Sequence, residues 1–137
     1  MDGEHDLTRL RHAMAPRLDD RTFVYCCFAD FALPMGLKAL CTIREDEGLT
    51  AIVEKREAER CAVPYVYESR LITLTVHSSL NAVGFLALVT SRLAAAGISC
   101  NAVAGYHHDH LLVPAGRAND AMDALRALAS DRVAARR

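Results

Sequence analysis

The sequence predicts an α+β fold, an antiparallel sheet with helices on one face, assembled from two interlocked ferredoxin-like halves. Three observations carry this. In Leu71-Ile72-Thr73-Leu74-Thr75-Val76 the apolar residues Ile72, Leu74 and Val76 share one face, while Thr73 and Thr75 take the other. From Asn81 the period becomes helical: Ala82, Leu86, Val89 and Leu93 form a stripe, Phe85 and Leu88 widen it, and Gly97 supplies the stop. Alternation then resumes at Ile98, and a second helical period places Ala118, Met122, Leu125 and Ala129 on one side. The order is βαββα, a βαββαβ unit without its last strand. The strand-rich N-terminal half can supply the missing one.

In the N-terminal half, residues 6–14 read as a short helix with Asp6 as N-cap and Leu7, Leu10 and Met14 on one face. Residues 22–28, Thr-Phe-Val-Tyr-Cys-Cys-Phe, are β-favouring and form a buried strand. After a loop at Pro34-Met35-Gly36, residues 37–44 and 49–53 make a hairpin across the turn Glu45-Asp46-Glu47-Gly48. Residues 54–61 are charged and helix-favouring, and Pro64 marks the boundary between halves 1–64 and 65–137. In the second half, residues 98–104 form a strand with Ile98, Cys100, Ala102 and Ala104 opposite Ser99, Asn101 and Val103. Residues 105–109 are a hairpin connection, His110-Leu111-Leu112-Val113 is the return strand, and Pro114 and Gly116 end it. The tail, Asp131 to Arg137, is too charged for a further strand.

Composition narrows the function. With 137 residues, 52% of them hydrophobic, the chain buries a core as one domain or two small closely packed ones. A net charge of −1 steers it towards neither nucleic acid nor an anionic membrane. No apolar run approaches the roughly 20 residues that span a bilayer. The acidic start, Met1-Asp2-Gly3-Glu4-His5-Asp6, lacks the basic-then-apolar order of a signal peptide, so a cytoplasmic location is expected. Five cysteines is an odd count, and Cys26 and Cys27 must face opposite ways on a strand; reduced thiols fit better than disulfides.

The turn His77-Ser78-Ser79-Leu80-Asn81 carries the chemistry. It joins a strand to a helix, whose N-terminus offers unpaired N–H groups and partial positive charge to a carboxylate or phosphate. Ser78, Ser79 and Asn81 are also favoured helix caps, so capping competes with binding as their explanation. The run His107-His108-Asp109-His110 holds only metal-capable side chains. His108 and His110 share a strand face, with Asp109 or His77 as a further zinc ligand, but the spacing matches no established metal motif. Cys100 alternates with Ile98 and Ala102 and reads as a buried, inert thiol.

These residues carry a resemblance. Residues 71–125 resemble an ACT domain, the βαββαβ module that binds amino acids in many metabolic regulators. Gly97-Ile98-Ser99-Cys100-Asn101 followed by residues 105–114 is similar to small free-standing tandem-ACT proteins of bacteria. The N-terminal half resembles their partner module in its Phe23-Val24-Tyr25 strand and its Arg44-Glu45-Asp46-Glu47-Gly48-Leu49-Thr50 turn. The resemblance implies tandem ACT-like modules and an amino-acid-binding regulator that works as a homodimer, without cofactor or catalysis. Carried over position by position, the ligand residues are His77, Ser78, Asn81, Ala82, Val83, Gly84, Ser99 and Asn101. Backbone N–H groups near Asn81 to Gly84 would hold the ligand carboxylate, Asn101 or backbone carbonyls would accept its ammonium hydrogens, and Gly84 would allow close approach. One departure stands out: many ligand-binding ACT turns carry more glycine where this chain has Ser78-Ser79-Leu80. Two other classes compete, a ligand-free interaction module and a metal-dependent enzyme using His77, His108, Asp109 and His110.

Overall fold

The computed structural model describes residues 2–131, so the expectation for the charged tail falls almost wholly outside the described residues. The elements are α1 (Leu7–Ala13), β1 (Pro16–Phe28), β2 (Ala39–Glu45), β3 (Gly48–Glu54), α2 (Lys55–Arg60), β4 (Val66–Leu74), α3 (Phe85–Ala95), β5 (Asn101–Ala104), β6 (Asp109–Pro114) and α4 (Ala118–Ser130). The six strands form one antiparallel sheet in the order β2-β3-β1-β4-β6-β5. The α+β, ferredoxin-like expectation with helices on one face holds.

The two central strands serve both modules. Residues 66–70 of β4 pair with the later part of β1 and close the first module; residues 72–74 open the second. In return, Pro16, Arg17 and Leu18 at the start of β1 pair with Leu74, Thr73 and Ile72. This is the strand that the C-terminal βαββα stretch lacks. The sequence expectation began this strand at Thr22 and missed its first part, because Asp19-Asp20-Arg21 looks like a loop. It is a bulge: register shifts between Leu18 and Thr22. There the Asp19 carboxylate accepts from the Arg21 backbone N–H at 2.8 Å and from its guanidinium at 2.9 Å, which holds the Asp19 carboxyl down at about 2.

Helices cover one face of the sheet. Leu10 and Met14, then Phe85, Val89 and Leu93 of α3 and Met122 and Leu125 of α4, pack onto Ile72, Leu74, Leu111 and Val113. A smaller core on the same face joins Val24, Cys26, Ala51 and Val53 to Ala58 of α2. The opposite face buries Phe23, Ile52, Leu71 and Leu112 under strand residues alone, because the curled sheet brings Tyr25, Cys41, Tyr67 and Val103 over them. Cys26 is buried and Cys27 exposed, as opposite faces require.

β4 also begins earlier than expected, at Val66 rather than Leu71, and two further element starts differ. β5 begins at Asn101 rather than Ile98. Gly97, at φ +73°, and Ile98 form the helix C-cap: Gly97 N–H donates to Ala94 and Ile98 N–H to Leu93, which turns Ile98 into the helix-side core. Val103 then packs on the opposite face, while Ala102 and Ala104 are exposed. The second difference, at the start of α3, shapes the site.

Candidate functional site

Helix α3 starts at Phe85, so Asn81, Ala82, Val83 and Gly84 belong to the preceding loop rather than to a first helical turn. Ser79 causes the delay. Its hydroxyl accepts from Asn81 N–H at 3.0 Å and its carbonyl from Ala82 N–H at 3.0 Å, a local turn that competes with the helix. Gly84 then stands at φ +93° as N-cap, a left-handed conformation that glycine adopts without penalty. Glycine has no side chain to cap with, and the first turn of α3 contains no acidic residue. The N–H groups of Phe85, Leu86 and Ala87 therefore keep their partial positive charge, since no intrahelical acceptor exists for a first turn.

The loop is pinned from two sides. On one, residues 2–4 lie across it: Glu4 N–H donates to His77 O at 2.8 Å, and Ser79 N–H donates to Glu4 O at 2.9 Å. The fit there is tight, since a Cβ on Gly3 would come within 2.6 Å of the His77 carbonyl oxygen. The Ser79 hydroxyl donates to Asp2 at 2.6 Å, and this bond, with help from His5, pulls the Asp2 carboxyl down to about 2. On the other side, the Ser78 hydroxyl donates to the buried Asp109 carboxylate at 2.9 Å. Asp109 opens β6, where it pairs with both Ala104 and Leu74.

Two cavities flank the loop. One, about 280 Å³, lies between Asp2, Gly3, His77, Asn81 and Tyr106. Over it the rings of His77, Tyr106 and His107 cluster, with His107 5.1 Å from His77 and 4.9 Å from Tyr106. The other, about 160 Å³, opens onto the start of α3 and is lined by Ser78, Ala82, Gly84, Leu86, Ala104 and Asp109 among others. A third cavity, about 280 Å³, lies on the curled face between Leu40 and Cys41 of one edge strand and Val103 of the other. It is apolar except for Cys41 and His110 and offers no charge to a zwitterion.

The structure thus gathers His77, Ser78, Asn81, Ala82, Val83 and Gly84 into one loop, with Val83 fully outward at 88% exposure. Ser99 and Asn101 are elsewhere. Ser99 meets the Tyr67 hydroxyl at 3.3 Å, and Asn101 pairs opposite Leu112, at the far end of β5 from Ala104. At roughly 3.3 Å per residue, Asn101 is about 10 Å along the strand from the cavity wall. Sequence reasoning gave no role to residues 2–4 in the site, and it weighed Asp109 only as a metal ligand. Among the described residues, no three His, Cys, Asp or Glu side chains converge as a metal site. His108 turns its Nδ1 to the Val76 carbonyl at 3.2 Å and His110 its own to Thr73 at 3.0 Å. Burial, followed by the proximity of His108, lowers the His110 pKa. Burial also pushes the Cys100 thiol up to about 11, which leaves it protonated at neutral pH.

Comparison with known proteins agrees with this architecture. Two ACT-domain family models match in tandem, one over residues 2–70 and one over residues 66–127. The chain belongs to the ACT-domain family. The two matches overlap at residues 66–70, within the strand β4 that both modules use. A Vibrio cholerae protein of unknown function, described as a possible transport protein, is 38% identical; the match covers 90% of this chain and 96% of that one, with a TM-score of 0.79. An Agobacterium tumefaciens protein shares the fold at 18% identity and a TM-score of 0.67, over 83% and 87% of the two chains. The regulatory subunit of aspartate kinase from Thermus flavus shares it at 12% identity and 0.61, over 82% and 95%. No curated protein matches the chain. Among the described residues, no helix is long and apolar enough to cross a membrane.

Proposed function

We propose that this protein is a non-catalytic regulatory sensor that binds a small α-amino acid beside the loop between β4 and α3. The observation that carries the proposal is the N-terminus of α3, which has no side-chain cap and whose first-turn residues line a cavity of about 160 Å³. A carboxylate there gains charge-assisted hydrogen bonds and the helix-dipole interaction together. Membership of the ACT-domain family and the fold shared with a regulatory subunit support the regulatory part of the reading.

The working form is a cytoplasmic homodimer. Leu80 at 66%, Val83 at 88% and Tyr106 at 62% exposure surround the loop, an apolar rim that a second copy would cover. Such a seam would let ligand binding alter the contact between copies, which is the signal.

A thermal-shift panel of the proteinogenic amino acids tests the function. A ligand at 100 times its dissociation constant adds about 2.7 kcal/mol, at roughly 2–4 °C per kcal/mol for a chain of this size. A rise of several degrees with one or more small neutral amino acids is expected. A flat panel from a stable dimer would overturn the sensor reading in favour of a ligand-free interaction module.

A further inference from the structure

We propose that the Asp109 carboxylate receives the ligand's α-ammonium group, so that the cavity selects small zwitterionic amino acids over the matching carboxylic acids. This rests on the reading above that the cavity holds an amino acid.

Asp109 is only 6% exposed. One of its oxygens, Oδ2, accepts the Ser78 hydroxyl at 2.9 Å. An ionised carboxylate can accept about four hydrogen bonds, and a buried one without a cation nearby is strongly disfavoured. Among the described residues, no ion pair falls on Asp109, since the salt bridges all lie elsewhere. The two imidazoles beside it in sequence form no ion pair with it: His108 turns its Nδ1 to the Val76 carbonyl, and His110 its own to Thr73. Burial favours the neutral form of His110. The Asp109 side chain instead lines the cavity at the start of α3.

The first turn of α3, with Phe85, Leu86 and Ala87, and the buried Asp109 line the same cavity. The rest of its wall combines the apolar Leu80, Ala82 and Ala104 with Ser78 and Ser79. Helix N–H groups suit a carboxylate and an acidic side chain suits an ammonium, the two groups that an α-amino acid carries. The volume sets the scale of the enclosed part: a cavity of about 150 Å³ takes benzene, and alanine has the same count of heavy atoms. At about 160 Å³ this one encloses glycine, alanine or serine, whereas a longer side chain would extend beyond its mouth. A carboxylic acid lacking the ammonium would bring no such donor to the buried Asp109 side chain.

Isothermal titration of the full chain with L-alanine and with L-lactate, its hydroxyl analogue, tests this. In the unmutated protein, alanine binds at least tenfold more tightly than lactate. In Asp109→Asn, which keeps an oxygen for the Ser78 hydroxyl, alanine affinity falls at least tenfold while lactate affinity does not fall. Equal affinities for alanine and lactate, or an Asp109→Asn protein that binds alanine unimpaired, would overturn the role of Asp109 and leave amino-acid binding intact. Failure of glycine, alanine and serine alike to bind the unmutated chain would overturn both. The alanine–lactate comparison needs no variant, so equal affinities overturn the role of Asp109 even if Asp109→Asn folds poorly.

Discussion

Replacing Leu10 with alanine tests whether the two modules are one cooperative body. Helix α1 has seven residues, far too few to persist alone, so packing holds it. Leu10 is fully buried, in one cluster with Met14, Phe85, Val89 and Leu125. The helix is also tied to the end of α4, with the Arg11 guanidinium donating to Leu128 O and the His12 ring to Ala129 O, each at 2.8 Å. Collapse around the vacated site is restrained by these ties, which places the cost near the middle of the measured Leu→Ala range, about 3–4 kcal/mol. That corresponds to a melting temperature lower by about 10 °C. Urea unfolding followed by circular dichroism gives the free energy, and amide exchange gives its distribution. Because β1 and β4 run through both modules, the expected result is a single transition with an unchanged urea dependence, and protection lost equally in β3 and β6. A cost below about 1 kcal/mol would show that α1 is not part of the core. Two transitions, with β3 still protected, would refute the shared-strand account.

Acid releases residues 2–4 from the loop only at low pH. The Asp2 carboxyl is held at about 2, chiefly by the Ser79 hydroxyl, against an ordinary value of about 3.9. A carboxyl depressed on docking contributes above its ordinary value and loses that contribution as pH falls through the depressed one. The Ser79 amide resonance is therefore expected to hold steady down to about pH 4 and to move between pH 4 and 2; movement already above pH 5 would contradict the contact. Thiol chemistry follows exposure. Iodoacetamide at pH 7.5 is expected to modify the exposed Cys27 well before Cys26 or Cys100, whose thiols are raised by burial; early alkylation of Cys100, read by mass spectrometry, would contradict its placement.

Much of the fold was legible because its apolar patterns are regular. The alternation at Ile72 and Leu74 and the helical spacing of Val89, Leu93, Met122 and Leu125 correspond to the large core. What escaped was non-local or polar. The first residues of β1 are hidden by Asp19-Asp20-Arg21, since a bulge reads as a loop until its partner strand is known. The start of α3 is displaced by a side-chain turn at Ser79 and a left-handed Gly84, both local choices that hydrophobic periodicity does not register. The site loop itself, with His77, Ser78 and Asn81, was visible as polar residues between a strand and a helix. Residues 2–4 and Asp109 reach it only through tertiary pairing, from 77 and 31 residues away in the chain at the Ser79–Asp2 and Ser78–Asp109 bonds. No spacing rule encodes such contacts. Asn101 illustrates the converse: its strand was foreseen, but its position along that strand, away from the loop, depends on the register with β6.

Amide chemical shifts recorded while the ¹⁵N-labelled protein is titrated with L-alanine locate the amino acid proposed to bind at the start of α3. Saturable shifts are expected at Gly84, Phe85, Leu86, Ala87 and Asp109, with residues of the curled face such as Ile52 and Val103 unmoved. Saturable shifts centred on the curled-face cavity instead, with the α3 amides still, would contradict that placement.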